Sequence, residues 1–170
     1  FSGGVDSTLV SKICTDMGFD VVLLTIGFSE SHDIVFSKEV NEHLNYSHYI
    51  LEIDPETFPE ITSNIHKVID TDNLSWNENC IAFHYVSKLA KSLNLDVVIT
   101  GNGIDELFCG YNAYREAFIG GQTKINEVMN SKLENELKMM KAVNLIASEF
   151  DVQILQPLLS AKFIEYAKTI

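Results

Sequence analysis

The chain has 170 residues, of which 46% are hydrophobic, enough to form one domain with a substantial core. No run approaches the ~20 apolar residues of a membrane span, and no leader resembling a signal peptide opens the chain. The formal net charge of −12 argues against broad nucleic-acid binding, whose affinity comes mainly from lysine and arginine on phosphates. Three cysteines without C-x-x-C spacing are typical of a reducing compartment, so we expect a cytoplasmic protein without a membrane anchor.

The first seven residues predict a phosphate-binding turn. An apolar strand end runs into Ser2, Gly3 and Gly4, and an amphipathic stretch follows at once. Glycines let the backbone approach a ligand closely, and the N–H groups at a helix N-terminus favour an anion. The hydroxyls of Ser2 and Ser7 can donate hydrogen bonds, and Asp6 can hold a divalent cation. The alternative is an ordinary strand–helix connection. Because the chain opens at a strand end, we also expect an upstream strand or domain.

Hydrophobic periodicity predicts alternating helices and strands through the first two thirds of the chain. The predicted helices carry Leu9, Ile13 and Met17; Phe36, Val40 and Leu44; Phe58, Ile61, Ile65 and Val68; and positions 81, 85, 89 and 93. The predicted strands cover residues 21–26, 48–53 and 97–100. Such alternation predicts a parallel sheet with right-handed crossovers, whose ligands bind beyond the carboxyl ends of the strands.

After residue 111 the pattern becomes helical and is broken at Gly120-Gly121. A long amphipathic stretch then carries Ile125, Met129, Leu133, Leu137 and Met140. Segment 151–156 is ambiguous, and a final helix is expected after Ser160. We therefore expect a single domain over residues 1–170, with an α/β nucleotide-binding part at 1–111 and a mainly helical tail at 112–170.

A second polar segment, T-G-N-G-I-D-E-L-F-C-G-Y at residues 100–111, follows the apolar run 97–99. The S-G-G-V-D-S string at residues 2–7 resembles the PP-loop of the ATP pyrophosphatases. The second segment resembles the asparagine synthetase and β-lactam synthetase signature, approximately S-G-E-G-x-D-E-L-F-G-G-Y. Residues 156–159 lie where that family carries a P-F-L-D-like stretch. On these motifs the chain is identified as an asparagine synthetase C-terminal-domain-like member of the PP-loop superfamily.

This resemblance implies a fold and an activity. The fold would be an adenine-nucleotide α-hydrolase-like (Rossmann-like) α/β sandwich of three layers with a helical C-terminal part. The activity would be adenylation of a carboxylate by ATP with Mg²⁺, release of pyrophosphate, and transfer of the acyl group to ammonia or an amine. Both motifs follow strands, so we expect them to meet at one edge of the sheet.

The resemblance also assigns roles to individual residues. The ATP phosphates would lie against Ser2, Gly3, Gly4, Asp6 and Ser7, and Mg²⁺ would lie between Asp6 and Asp105. Adenine would be recognised near Leu24, Thr25, Ile26 and Ile53, and at Thr100 and Gly101. The alternatives are that Leu24 and Ile53 are only core residues, and that Asp105 and Glu106 merely complement a helix dipole.

Two polar loops are weaker candidates. Asp33 lies in a loop after the second strand and is expected to cap the next helix. Asn77 and Glu78 are expected just before the fourth helix, where the family often contacts its acceptor substrate. A helix cap beside a packed tryptophan explains that segment equally well.

The sequence departs from the family pattern at two positions. Asn102 stands where asparagine synthetases carry a glutamate, and an amide cannot accept or relay a proton as a carboxylate does. The family's later catalytic lysine falls on Leu145, so Lys141, one helical turn earlier, is the candidate substitute. We also expect no glutaminase domain, with its nucleophilic cysteine, within residues 1–170.

These departures leave alternatives open. One is an ATP- or AMP-binding module without ligase activity; another is an RNA-modifying adenylation enzyme, which the charge disfavours. The expected partners are ATP, a small carboxylate substrate, and an upstream or separate amidotransferase domain, with a homodimer left open.

Overall fold

The computed structural model describes all 170 residues as eight α-helices, four β-strands and one 3-10 turn. In chain order the elements are α1 (Val5–Asp16), β1 (Val22–Gly27), α2 (His32–Leu44), β2 (Ser47–Glu52), α3 (Phe58–Ile69), α4 (Leu74–Ser92), β3 (Val97–Ile99), α5 (Ile104–Leu107), α6 (Ala113–Ile119), α7 (Gly121–Ser148), β4 (Gln153–Leu155), the 3-10 turn Pro157–Leu159 and α8 (Ala161–Ala167). Every helix and strand expected from periodicity is present, and the ambiguous segment 151–156 contains β4. None of the helices is both long and apolar enough to cross a membrane.

The strands pair in parallel. β1 and β2 run in register from Val22 opposite Ser47 to Gly27 opposite Glu52. β3 pairs with β4: the Gln153 amide donates to the Asp96 carbonyl at 2.9 Å, and the Thr100 amide donates to the Leu155 carbonyl at 3.0 Å. Because the partners advance in the same direction on both strands, this pairing is parallel as well. The predicted α/β class with parallel strands and a helical C-terminal part is confirmed.

The chain divides into two compact units. The first contains residues 1–98 and 142–154, and the second contains residues 99–141 and 155–170. The first buries Leu23, Leu24, Ile34, Ile53, Ile65, Cys80, Tyr85, Leu89, Ala90, Val143, Ile146, Ala147, Val152 and Ile154. The second buries Leu107, Tyr114, Ala117, Met129, Leu133, Met139, Met140, Leu159 and Ala167. The single domain with its boundary at residue 111 stays a prediction.

Helix starts differ from the sequence expectation in two places. α4 begins at Leu74, so Asn77 and Glu78 lie inside the helix rather than before it. The reason is Asn73, whose side chain accepts a hydrogen bond from the Trp76 amide at 3.2 Å and caps the helix. The N-cap of α2 is Ser31, whereas Asp33 lies within its first turn and does not cap the helix.

The packed faces of two helices also differ from the expectation. Leu9 on α1 and Met17 at its C-cap are 48% and 70% exposed, and the buried residues of α1 are Val10 and Ser11. On α7, Leu137 is 41% exposed, whereas Glu136 is only 6% exposed and takes the buried position. The helical periodicity of the apolar residues predicted both α1 and α7. It placed some residues on the buried face that are in fact exposed.

Candidate active site

The first motif is anchored to β1 by the residue before it. The amino group of Phe1 donates to the Leu24 carbonyl, and the Thr25 hydroxyl donates to the Phe1 carbonyl. The Thr25 hydroxyl also lies 2.7 Å from Nε2 of His48 on the paired strand. Burial is the main cause that lowers the pKa of His48, which favours the neutral imidazole. Thr25 therefore fixes where the glycine turn leaves the sheet.

The turn itself gathers hydroxyl groups at the N-terminus of α1. Gly3 has a φ of +79°, and a side chain there would meet Phe36 at 3.1 Å, so only glycine fits without strain. Gly4 is the N-cap, and its amide donates to the Ser2 hydroxyl at 3.3 Å. The Ser2 and Ser7 hydroxyl oxygens lie 3.4 Å apart, and Ser7 donates to the Gly4 carbonyl at 3.2 Å.

The chemistry of this turn favours a bound phosphate group. Hydroxyl donors converge beside the N–H end of a 12-residue helix, where the helix dipole is positive. Asp6 lies in the first turn of that helix and is half-buried, within the same motif. The structure thus brings together all five residues of the predicted phosphate site in the first unit.

The predicted adenine residues of the first unit divide into two groups. Leu24, Thr25 and Ile53 are 7%, 2% and 7% exposed and belong to the core, while Ile26 is half-buried. The Ile53 amide donates to the Gly27 carbonyl at 2.8 Å, which extends the strand pairing by one residue. Both the packing role and the adenine role of Leu24 and Ile53 stay open.

The second motif forms a tight turn shaped by two glycines. Gly103 has a φ of +111°, and a side chain there would lie 2.8 Å from Leu159. A side chain at Gly110 would lie 2.0 Å from Oδ1 of Asp105, so Gly110 provides the space in which that carboxylate lies. Asp105 is exposed in the first turn of α5, where a cation can reach it. Cys109 stands at a glycine of the signature and has a φ of +63°.

Glu106 is turned into the second unit rather than toward solvent. It is 3% exposed, and its carboxylate accepts a hydrogen bond from the Tyr111 hydroxyl. The Tyr114 hydroxyl donates to the Glu106 backbone carbonyl. Burial, followed by the Glu106 carboxylate, raises the pKa of Tyr111, and burial raises the pKa of Tyr114 to about 12. Both phenols therefore stay protonated and act as hydrogen-bond donors. Glu106 accepts one of these bonds inside the second unit, so it does more than complement the dipole of α5.

Asn102 holds a carboxylate that belongs to another element. Its amide nitrogen donates to Oε1 of Glu136 on α7 at 2.8 Å, and its amide oxygen accepts from the Thr100 hydroxyl. These two bonds fix which way the amide points. Burial raises the pKa of Glu136, the Asn102 bond acts in the opposite direction, and Glu106 and Asp105 raise the pKa further. Glu136 is thus a buried carboxylate with a raised pKa. It lies beside Asn102, which stands where the signature has its own glutamate.

The lysines of α7 differ in their surroundings. Lys141, the residue expected to replace the missing family lysine, is exposed and forms none of the salt bridges. Leu145, at the family position itself, is 53% exposed. Lys132 instead places its ammonium 4.7 Å from the centre of the Tyr111 ring. Lys132 is therefore a lysine of α7 in contact with the second motif.

Asp6 and Asp105, the two carboxylates expected to hold Mg²⁺, belong to the first and the second unit, respectively. No three Asp, Glu, His or Cys side chains converge as a metal site. Mg²⁺ is usually held in proteins by one or two carboxylates, water and substrate phosphates. The expectation that Asp6 and Asp105 bind Mg²⁺ together stays a prediction.

Sequence reasoning missed Glu136, Lys132 and the helical position of Asn77. Glu136 was detectable, because it falls on the apolar stripe formed by Met129, Leu133 and Met140. A carboxylate on such a stripe has to be hydrogen-bonded when it is buried. The role of Asn77 was not detectable: its amide bridges the Thr71 carbonyl at 2.8 Å and His66 at 3.1 Å.

Comparison with known proteins gives consistent results over nearly the whole chain. A family model described as asparagine synthase matches residues 1–162. A protein of Methanocaldococcus jannaschii, provisionally named asparagine synthetase [glutamine-hydrolyzing] 1, is 27% identical over 174 residues, covering 99% of this chain and 31% of that protein. Asparagine synthetase [glutamine-hydrolyzing] of Asparagus officinalis is 24% identical over 179 residues, covering 99% of this chain and 30% of its own length.

Asparagine synthetase [glutamine-hydrolyzing] 1 of Bacillus subtilis is 29% identical over 118 residues, covering 68% of this chain and 18% of that protein. The chain thus spans about a third or less of the length of these curated relatives. Among solved structures, one described as a predicted subunit of tRNA methyltransferase from Methanocaldococcus jannaschii is similar with a TM-score of 0.46 and 17% identity, covering 99% of this chain and 71% of that chain.

Proposed function

Because this chain belongs to the asparagine synthase family of ATP-dependent amide ligases, we propose that it adenylates a small carboxylate and transfers the acyl group to ammonia or an amine. The observation that carries the proposal is the hydroxyl-lined turn of residues 2–7 at the N-terminus of α1. In the adenylation step, a carboxylate oxygen attacks the α-phosphorus of ATP, the bond to the β-phosphate oxygen breaks, and pyrophosphate leaves.

In the adenylation step, the residues of the first motif bind the departing phosphates. The Ser2 and Ser7 hydroxyls and the N-terminal amides of α1 donate to phosphate oxygens and stabilise charge on the leaving group. Asp6 and Asp105 would hold Mg²⁺, which when bound neutralises phosphate charge. Gly110 supports this role by leaving space for the Asp105 carboxylate.

The amide-forming step needs a group that accepts a proton from the incoming amine. The amine nitrogen attacks the acyl carbon, the bond to AMP breaks, and one N–H proton has to leave. Asn102 cannot accept that proton, but its partner Glu136 can, and burial already favours protonation of Glu136. The pair therefore supports retention of the amine half-reaction, which the sequence alone placed in doubt.

Pyrophosphate release from Mg-ATP tests the proposal. The full chain is assayed with a panel of amino acids and related carboxylates, with and without ammonium. We expect release that depends on one acid, and amide product that depends on ammonium as well. Asp6→Ala and Asp105→Ala should each lower the rate at least ~100-fold, whereas the exposed Asp20→Ala control should not. Wild-type rates in both site variants would refute the assignment.

A nucleotide-binding module without ligase activity is the second candidate, favoured by Asn102 in place of the signature glutamate. It predicts saturable ATP binding with no pyrophosphate release for any acid. For the ligase, the nitrogen source would be free ammonia or an amidotransferase domain, as the glutamine-hydrolysing names of the relatives suggest. The cytoplasmic location and the homodimer stay predictions.

A further inference from the structure

The second motif contains an asparagine that is followed directly by a glycine, at Asn102 and Gly103. This dipeptide is prone to deamidation. The backbone nitrogen of the second residue can attack the side-chain carbonyl carbon of the asparagine, and glycine has no side chain to hinder the approach. Every other asparagine of the chain precedes a residue that carries a side chain. Asn102 is therefore the asparagine at which this attack is least hindered.

The backbone at Gly103 is open to this reaction. Residues 100–103 lie between β3 and α5, outside any helix or strand. The Gly103 carbonyl accepts a hydrogen bond from the Leu107 amide at 3.1 Å, whereas the Gly103 amide donates none. Gly103 also has a φ of +111°, which residues with a side chain rarely adopt. The Gly103 nitrogen is thus free to lose its proton and act as the nucleophile.

Both ends of the Asn102 side chain have partners that suit its deamidation. The Thr100 hydroxyl donates to the amide oxygen, where negative charge develops when the carbonyl carbon is attacked. The amide nitrogen, which is the leaving group, lies 2.8 Å from Oε1 of Glu136. Glu136 is 6% exposed, and burial raises its pKa. A protonated fraction of Glu136 therefore persists to higher pH than in an exposed glutamate and can donate its proton.

We propose that Asn102 is a site of spontaneous deamidation, in which Thr100 stabilises the oxyanion and Glu136 protonates the departing nitrogen. The Gly103 nitrogen forms a bond to Cγ of Asn102 and loses its proton to water. The bond from Cγ to Nδ2 then breaks, and ammonia leaves with the proton of the Glu136 carboxyl group, which water replaces. A water molecule hydrolyses the resulting succinimide to aspartate or isoaspartate. This inference goes beyond the proposed ligase function and does not rest on it.

Deamidation changes the charge of the second motif. In the aspartate product, a carboxylate replaces the amide that donates to Glu136, so two carboxyl groups face each other in a largely buried place. Two like charges so close disfavour each other's ionisation, so the pair holds a proton or moves apart. A hydrogen-bonded pair thereby becomes a repulsive one, and an aged molecule differs from a new one at this motif.

Peptide mapping of the full chain measures the reaction. The chain is incubated at neutral pH, sampled over days, digested with trypsin and analysed by liquid chromatography and mass spectrometry, which separate the asparagine, aspartate and isoaspartate forms. Peptide 92–115 carries Asn102 together with the exposed Asn94 and Asn112, which precede leucine and alanine. We expect Asn102 to react at least ~10-fold faster than either, a barrier lower by about 1.4 kcal/mol. A zero-time sample corrects for deamidation during digestion.

Variants test whether the fold assists the reaction. Thr100→Val removes the hydroxyl at similar shape, and Glu136→Gln keeps an acceptor for the Asn102 amide but has no acidic proton. Each should slow deamidation of the folded chain at least ~10-fold. In urea both should react at the wild-type rate, because Gly103 still follows Asn102. Glu134→Gln, exposed on α7, is the matched control and should leave the rate unchanged. Thermal unfolding of each variant checks that it is folded.

Each outcome has a defined meaning. Deamidation of Asn102 that is no faster than that of Asn94 and Asn112 in the folded chain overturns the proposal. An equal or higher rate in either folded variant, Thr100→Val or Glu136→Gln, also overturns it, because that hydrogen bond then restrains the side chain instead of activating it. Slower reaction of both folded variants, with equal rates in urea, supports the assisted mechanism.

Discussion

Replacing Asn102 by leucine removes the donor that satisfies a buried carboxylate. In the wild type, the Asn102 amide nitrogen lies 2.8 Å from Oε1 of Glu136, a residue that is 6% exposed. Leucine has a similar size and no donor, so Glu136 keeps its burial and loses this partner. Thr100 loses the acceptor of its hydroxyl proton at the same time.

The expected cost follows from the charge on Glu136. A hydrogen bond to a charged group contributes ~1.5–3 kcal/mol, so the free energy of unfolding should fall by about 2 kcal/mol at pH 7. For a chain of this length, that lowers Tm by ~4–8 °C. At pH 4 the carboxyl is largely protonated, only a neutral hydrogen bond is lost, and the cost should be about 1 kcal/mol.

The sign of the pH dependence follows from the pKa of Glu136. Burial holds this pKa above its value in the unfolded chain, so the stability linked to the protonated carboxyl is full below the unfolded pKa and is lost as pH rises through the folded pKa. Asn102 opposes the upward shift of the pKa. Its removal raises the pKa further, and the difference between variant and wild type therefore widens from pH 4 to pH 8.

Urea unfolding at pH 4 and pH 8 measures this effect. Asn126→Leu is the matched control, because Asn126 is exposed on α7 and its side chain accepts a hydrogen bond from the Gln122 amide at 3.0 Å; it should change stability by less than ~0.5 kcal/mol. Adding Glu136→Gln to Asn102→Leu should recover at least ~1 kcal/mol at pH 8, because no charge is then buried. A cost below ~0.5 kcal/mol at pH 8, or one independent of pH, would refute the reasoning.

Three further substitutions have defined outcomes. Gly110→Ala would place a carbon 2.0 Å from Oδ1 of Asp105, so we expect pyrophosphate release to fall at least ~10-fold; an unchanged rate contradicts the role of Asp105. Cys109→Gly relieves a φ of +63° and should raise the free energy of unfolding by about 0.5–1 kcal/mol in urea titrations, whereas a decrease argues against strain. Tyr85→Phe removes a buried hydroxyl without a hydrogen-bond partner, so stability should stay equal or rise by ~1 kcal/mol; a loss above ~1 kcal/mol would show a hidden partner.

The sequence predicted the order of helices and strands well, because apolar periodicity is a local property. Leu24 falls within the apolar run 21–26 and Ile53 ends the alternating segment 48–53, and both are buried. The start of α4 was missed because one side chain, Asn73, decides where that helix begins. The buried face of α7 was misassigned because Glu136 is polar, and its burial depends on a partner 34 residues away in the chain.

The two motifs of the candidate site were identified from short strings of residues, each of which folds locally. Gly3, Gly4 and Ser7 form their turn through contacts within seven residues. The residues that complete the second motif, Glu136 and Lys132, come from a helix that begins ten residues after the motif ends. No local pattern marks such contacts, so sequence reasoning settled on Lys141 by spacing alone. The prediction that both motifs meet at one sheet edge stays a prediction.

Cys109 makes the second motif accessible to thiol chemistry. Cys80 is fully buried and burial raises its pKa to about 11, whereas Cys109 is exposed. Thiol reagents need an accessible sulfur and its thiolate form, so a maleimide dye should attach to Cys109 well before Cys80. The dye would then stand beside Gly110 and the Asp105 carboxylate. A residue that replaces a signature glycine thereby offers a fluorescent reporter for ligand arrival at this motif in the intact protein.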